Sequence, residues 1–342
     1  MEKIDLKELD LAETELFVSR LGMELFRGRQ IFRWVFQKGV SDLESMTDLS
    51  AKLRVELSRK AFISSIEPTR VDESGDGSAK FLFRLSDGYC VESVLIPEKR
   101  RLTLCVSSQV GCALGCRFCA TGQMGFRRNL TSGEIADQLL KCQEYSEEKI
   151  TNVVFMGMGE PLLNLKAVMK ACGIMASDHG LSFSKKKITI STVGIVHGLK
   201  KFVDQGEKFG LAISLHSADE NIRRKIIPSA AKNDLAQIMA EARRYTQLSG
   251  RRVSFEYLLL GGLTDSLDDA EKLVRLIHGI PCKINLIRYN PVDGLPFTKP
   301  DEGTVQKFKE YLYPRTYAVT VRESRGIDIK GACGQLAGDF LV

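Results

Sequence analysis

At 342 residues, 44% hydrophobic and 27% charged, the chain can bury a large core, as one barrel-like domain or as a main domain with a small appendage. Its longest clean apolar runs, such as Tyr257–Leu260, are far too short to cross a bilayer, and the opening MEKIDLKELDLAE lacks the apolar core of a signal peptide. Nine cysteines, an odd number scattered along the chain, argue against a secreted disulfide scaffold, so a cytoplasmic protein with no membrane partner is expected.

Residues 1–65 read as a small helical domain: ELFVSRLG, RGRQIFRWVFQKG and LSAKLRVELSRKA, with Gly22 and Gly39 as stops. The single tryptophan, Trp34, fits its core. Residues 66–101 read as a short β extension, in which the polar turn DESGDGS separates apolar stretches ending in YCVESVLIP. From residue 102 to 342 strands and helices alternate. The strands are TLCVS (103–107), TNVVFM (151–156), ITIST (188–192), LAISLH (211–216), VSFEYLL (253–259) and KINLIRY (283–289), with AVTVRE (318–323) as a seventh. The first intervening helix opens with a capping-box pattern, Thr131-Ser-Gly-Glu134. Such alternation implies parallel βαβ units, and six of them make an α/β fold of the partial (β/α)6-barrel type. In such a barrel the chemistry lies at the C-terminal ends of the strands.

Those ends are where the unusual residues fall. The first strand runs into QVGCALGCRFCATG, with Cys112, Cys116 and Cys119 spaced C-x3-C-x2-C. Zinc ribbons use paired C-x2-C units, and no nearby histidine or cysteine offers a fourth ligand. Three thiolates can instead hold three irons of a [4Fe–4S] cluster and leave the fourth open to an outside chelator. Structural zinc and a plain turn remain the alternatives. The next strands end in Gly157-Met-Gly159-Glu160, Ser191-Thr192, Ser214-Leu215-His216 and Tyr289-Asn290-Pro291, small and polar segments suited to a small-molecule site. Basic groups gather at Arg27/Arg29/Arg33, Lys99–Arg101, Arg127/Arg128, Lys185–Lys187, Arg223–Lys225 and Arg251/Arg252. With a net charge of +6 they are compatible with a nucleic-acid partner.

On these residues the sequence resembles the radical S-adenosylmethionine superfamily and, more narrowly, the dual-specificity RNA (adenine-C2) methyltransferases. The likeness runs from RGRQIFRWVF through LCVSSQVGCALGCRFC, FMGMGEPLLN, ISLHS and NLIRYNP to GIDIKGACGQLAG. It implies a cluster on Cys112, Cys116 and Cys119, and S-adenosylmethionine, two per turnover, within reach of Gly159, Glu160, Ser191, Ser214, Leu215, His216 and Asn290. It makes Cys333 the methyl carrier, through S-methylcysteine and a covalent RNA adduct, and Cys105 the thiol that resolves the adduct as a disulfide forms. Glu92, on the strand face of Cys90, Val94 and Ile96, matches the family's proton acceptor, with a structural ion pair as the rival role. The implied substrates are an adenosine of 23S rRNA in the peptidyl-transferase centre and an anticodon-loop adenosine of tRNA, for a monomer served by an electron donor such as flavodoxin or ferredoxin. Two other readings stay open. GEPL at 159–162 looks like the C2 enzymes, whereas GIDI before Cys333 resembles the adenine-C8 relatives that confer antibiotic resistance. A non-catalytic RNA-binding protein with a structural metal would have no use for Cys105 and Cys333.

Overall fold

The structure, a computed structural model, describes residues 3–337. Its N-terminal layer begins with Ile4–Asp5 (β1), which pairs in parallel with Ala61–Phe62 (β2). Between them lie the helices Leu11–Arg20 (α1), Leu25–Phe36 (α2) and Ala51–Lys60 (α3). Asp10 caps α1 in a reciprocal pair with Glu13, satisfying two backbone donors that a helix start leaves orphaned. Phe32, Phe36 and Trp34 are buried among these helices, and the same cluster takes in Ala136, Leu140 and Ile174 from the body of the protein. Trp34 is therefore core, its indole N–H donating to Asp48 at 2.5 Å.

The body is a ten-stranded sheet in which every strand lies beside its neighbour in the sheet's chain order. Glu67–Glu73 (β3), Ala79–Arg84 (β4), Cys90–Glu98 (β5) and Arg101–Cys105 (β6) are antiparallel to one another. The sheet then becomes parallel through Asn152–Phe155 (β9), Ile188–Thr192 (β10), Gly210–Ser214 (β11), Val253–Leu259 (β12), Cys282–Arg288 (β13) and Val319–Arg322 (β14). AVTVRE thus supplies a seventh parallel strand. Between β6 and β9 a small antiparallel ribbon, Gln109–Gly111 (β7) with Phe126–Asn129 (β8), closes the base of the cysteine loop. Gly111 sits at φ +71°, and a Cβ there would meet the Gly125 carbonyl at 1.9 Å, so only glycine lets the ribbon close.

The helices Ala120–Gln123 (α4), Ser132–Tyr145 (α5), Leu165–Ala176 (α6), Val196–Asp204 (α7), Glu220–Ile226 (α8), Leu235–Ser249 (α9), Leu267–Ile277 (α10) and Glu302–Leu312 (α11) complete the alternation. The Thr131/Glu134 capping box at the start of α5 is present as expected. One core cluster runs through the whole sheet, from Phe81 and Phe83 in β4 to Leu286 in β13 and Phe308 in α11. β6 ends two residues before the sequence suggests. The Ser107 N–H donates to Gln138 Oε1 at 2.8 Å instead of to β9, which stops the ladder and turns the chain toward the cysteine loop.

No described helix is long and apolar enough to cross a membrane.

Candidate active site

A cavity of about 160 Å³ opens at the C-terminal ends of the parallel strands. Cys112, Cys116 and Cys119 line it together with Gly159, Glu160, Ser191, Ser214, His216, Cys333 and Gly334. Leu114, Phe118, Leu258 and Ile287 supply apolar wall between them. Of the residues the resemblance assigns to the cofactor, Leu215 and Asn290 are not in the lining. Leu215 is buried and donates its N–H to the Glu256 carbonyl at 2.9 Å. Asn290 donates through Nδ2 to the Cys333 carbonyl at 3.2 Å, so it holds the segment that carries Cys333.

The strand ends determine what each side chain can do. Gly159 has φ +98°, and a Cβ there would lie 2.5 Å from that of Gln109, so this turn closes only without a side chain. Its neighbour Glu160 is buried, and its two oxygens accept the N–H groups of Leu162 at 2.9 Å and Val193 at 3.0 Å. These bonds favour the carboxylate, yet burial outweighs them and pushes its pKa up to about 7. His216 adopts φ +61°, and its Nδ1 accepts the Leu258 N–H at 3.1 Å. Burial, reinforced by the charge of Arg223, lowers its pKa to about 3, so the ring is neutral and presents Nε2–H. The Phe118 ring meets it edge-on at 5.1 Å.

The three loop thiols act on one another. Burial raises Cys116 well above the ordinary thiol value, and the Cys119 and Cys112 sulfurs raise it further. Burial also pushes Cys112 up to about 12. Among the described residues no three His, Cys, Asp or Glu converge as they would around a single metal ion. Three thiols spread around one cavity suit instead a multi-iron cluster, where each ligand takes a different iron.

Cys333 is the exposed cysteine, and none of the described cysteines forms a disulfide. Its segment is tied down on four sides. Gly334 accepts the Ala120 N–H at 2.7 Å, Leu336 accepts from Thr121 Oγ1 at 2.6 Å, Gln335 donates to the Pro291 carbonyl at 3.0 Å, and the Ala337 N–H donates to Glu92 at 2.9 Å. The helix that follows the third loop cysteine is therefore bonded directly to the segment that carries Cys333. Cys105, at the end of β6, is buried; burial raises its pKa far above the ordinary value and the nearby Cys333 sulfur adds to the rise. The last glycine of the GACGQLAG motif, Gly338, lies outside the described residues. Glu92 is buried and forms an ion pair with Lys80 at 3.1 Å, Lys80 lying opposite Val94 on the same sheet face. It is not part of the cavity lining.

Two buried groups at the site give no motif signal. Glu256, in the middle of VSFEYLL, lines the cavity with one oxygen bonded to Asn285 Nδ2 at 2.6 Å. A carboxylate inside an otherwise apolar strand is the one hint the sequence offers. Arg223 falls in a basic run that reads as surface, yet it is 1% exposed and donates to the carbonyls of Leu215, at 3.1 Å, and Val193. It thereby ties the ends of β10 and β11 together behind the cysteine loop.

Sheet, cysteine loop and cavity define a radical S-adenosylmethionine enzyme, and the Radical SAM superfamily profile matches residues 106–277. A solved radical SAM methyltransferase from Sphaerobacter thermophilus superposes with a TM-score of 0.93 at 39% identity, over 98% of this chain and 100% of that one. The profile of the ribosomal RNA large subunit methyltransferase N-terminal domain matches residues 4–63. The dual-specificity RNA methyltransferase RlmN of Geobacter sulfurreducens is 45% identical over 335 residues, 98% of this chain and 92% of its own. RlmN of Syntrophobacter fumaroxidans is 43% identical over 342 residues, covering 99% and 100%. The chain belongs to the RlmN family of radical SAM RNA methyltransferases. Enzymes of this superfamily use a [4Fe–4S] cluster with S-adenosylmethionine, and a lining that joins three thiols with Glu160, Ser191, Ser214 and His216 fits that pair.

Proposed function

We propose that the protein methylates C2 of an adenosine in the peptidyl-transferase centre of 23S rRNA and of an anticodon-loop adenosine in tRNA, in the cytoplasm, as a monomer. The observation that carries this reading is the placement of Cys333 on the wall shared with Cys112, Cys116 and Cys119. Adenine C2 is an electron-poor carbon whose C–H is not acidic, so it cannot attack a sulfonium methyl group directly. A thiol can, which is why a cysteine must carry the methyl group first.

Cys112, Cys116 and Cys119 would hold the cluster, and Glu160, with Ser191, Ser214 and His216, would orient S-adenosylmethionine. Bound there, the two supply a methyl group and the one-electron chemistry that activates it. Glu160 offers a buried carboxylate to a ligand ammonium group, whose charge would stabilise the ionised form. Neutral His216 offers an N–H donor. Leu114, Phe118 and Leu258 keep water from the reacting carbon. Cys333 takes the methyl group, carries it to the base and is bonded to the RNA in the adduct. Cys105 attacks the Cys333 sulfur to release the product, which leaves the two joined as a disulfide. Glu92 stands under the Ala337 N–H, at the end of the same segment, and is the proposed acceptor of the C2 proton. The target base must leave its stack to reach the cavity. Arg117 on the cysteine loop and Arg127 on β8, both exposed, and the basic N-terminal helices would meet the RNA backbone, and a flavodoxin or ferredoxin would supply electrons.

Mass spectrometry of nucleosides from rRNA and tRNA of a strain lacking the gene tests this. 2-Methyladenosine should disappear from both and return with the wild-type gene but not with Cys333→Ala. Loss of 8-methyladenosine instead would replace the C2 assignment.

A further inference from the structure

Resting on that reading, the geometry points to Glu256 as the proton acceptor that prepares Cys333 for methyl transfer. Cys333 cannot accept a methyl cation equivalent as a thiol without losing its proton, and the cavity wall must provide somewhere for that proton to go. Glu256 is on that wall with Cys333, is 4% exposed and forms no ion pair among the described residues. One carboxylate oxygen is fixed by Asn285 at 2.6 Å; the other has no hydrogen-bond partner among the described residues. That is the arrangement of a base held in place at one end and available at the other.

The charged and titratable groups around the pair fit the role. Cys333 lies in the field of Glu256, Arg322 and Cys119, and Cys105 lies in the field of Cys333. Burial raises the Glu256 carboxyl, and Arg322, at the end of β14, together with the Asn285 bond opposes that rise. Although Cys333 is exposed, the Glu256 carboxylate on the same lining opposes a second negative charge there, and transfer of the proton within the pair removes that opposition. By contrast, Glu92 is engaged by Lys80 and the Ala337 N–H and lies outside the lining. In the step, the thiol proton moves to Glu256, directly or through one water. The Cys333 sulfur forms a bond to the methyl carbon, the methyl–sulfonium bond breaks, and its electron pair stays on the departing S-adenosylhomocysteine sulfur. No oxidant or reductant is consumed.

The test uses the full-length protein and reads Cys333 by peptide mass spectrometry. First, the rate of carboxamidomethylation of Cys333 by iodoacetamide is followed against pH. The wild type should show two limbs, one for each proton of the coupled pair. Glu256→Gln, which keeps an acceptor for Asn285, should show one limb, at lower pH than the upper limb of the wild type. Glu256→Asp should keep two. Second, S-methylation of Cys333 in the cluster-loaded enzyme with S-adenosylmethionine should slow by about 100-fold in Glu256→Gln, with iron content and cofactor affinity unchanged. A single unchanged limb in all three proteins, or wild-type methylation in Glu256→Gln, overturns the assignment. Methylated RNA from Cys333→Ala would instead overturn the methyl-carrier reading beneath it, so the two failures are distinguishable.

Discussion

Two regions of the molecule bury charge, and they do it in opposite ways. Where the N-terminal helical layer meets α5, Lys7 and Asp137 are each 2% exposed and form an ion pair, and the second Asp137 oxygen accepts the Ile66 N–H at 2.7 Å. Glu8 beside them accepts from Ser132 Oγ at 2.9 Å and the Gly133 N–H at 3.0 Å, capping α5 from a different part of the chain. At the cavity, Glu160, Glu256 and Arg223 are equally buried, yet none forms an ion pair among the described residues. They are held by backbone groups, or by the Asn285 amide, and the two carboxyl groups face open space. A buried charge matched within the protein fastens two layers together. A buried charge left facing a cavity costs stability and becomes useful only when a ligand matches it.

Substitutions should separate the two regions cleanly. Cys333→Ala should abolish S-methylcysteine and methylated RNA altogether, measured by mass spectrometry, while the melting temperature stays close to wild type because the side chain is exposed. Asp137→Ala should do the reverse. Removing one partner of a buried pair costs about 3–5 kcal/mol, so urea unfolding should show a large loss of stability, with catalysis intact in the protein that remains folded.

The next effects depend on pH and carry opposite signs. Glu160 has its pKa raised to about 7, so the folded cofactor-free protein binds more protons than the unfolded chain between the ordinary carboxylate value and pH 7. Its stabilising contribution is complete below pH 4.5 and is lost as pH rises toward 7, a change on the order of 3 kcal/mol. Glu160→Gln should flatten that slope in thermal melts and weaken S-adenosylmethionine binding without loss of iron. His216 has its pKa lowered to about 3, so its contribution is complete above pH 6.5 and is lost as pH falls toward 3. His216→Asn, which tolerates the positive φ, should remove that acid-side slope. A surface control completes the series. Lys185 and Glu207 pair at 2.6 Å with side chains 46% and 36% exposed, and Lys185→Ala should change stability by less than about 1 kcal/mol.

How much of this was readable in the sequence follows the same division. The strands with strong apolar runs, the Thr131 capping box and the small polar residues at strand ends were legible, because each carries its own local signal. So were Cys112, Cys116, Cys119 and Cys333, since their neighbours in the chain are also their neighbours in the motif. The Lys7–Asp137 pair spans 130 positions, and nothing local marks either residue. Arg223 reads as one more surface cation in RRK, and its burial is decided by the carbonyls of two strand ends that fold over it. Glu256 becomes meaningful only when β12 and β13 come into register and set it beside Asn285, with the Cys333 segment bonded across the same opening.

The central claim is that Cys333 and Cys105 divide one reaction between them. Cys105→Ala protein, recovered from cells and run on a denaturing gel, measures it most directly. The account predicts a shifted species that disappears on nuclease treatment and yields a Cys333 peptide bonded to adenosine, and that is absent when Cys333→Ala is added. A well-folded Cys105→Ala protein with no adduct, or an adduct that persists without Cys333, would contradict it.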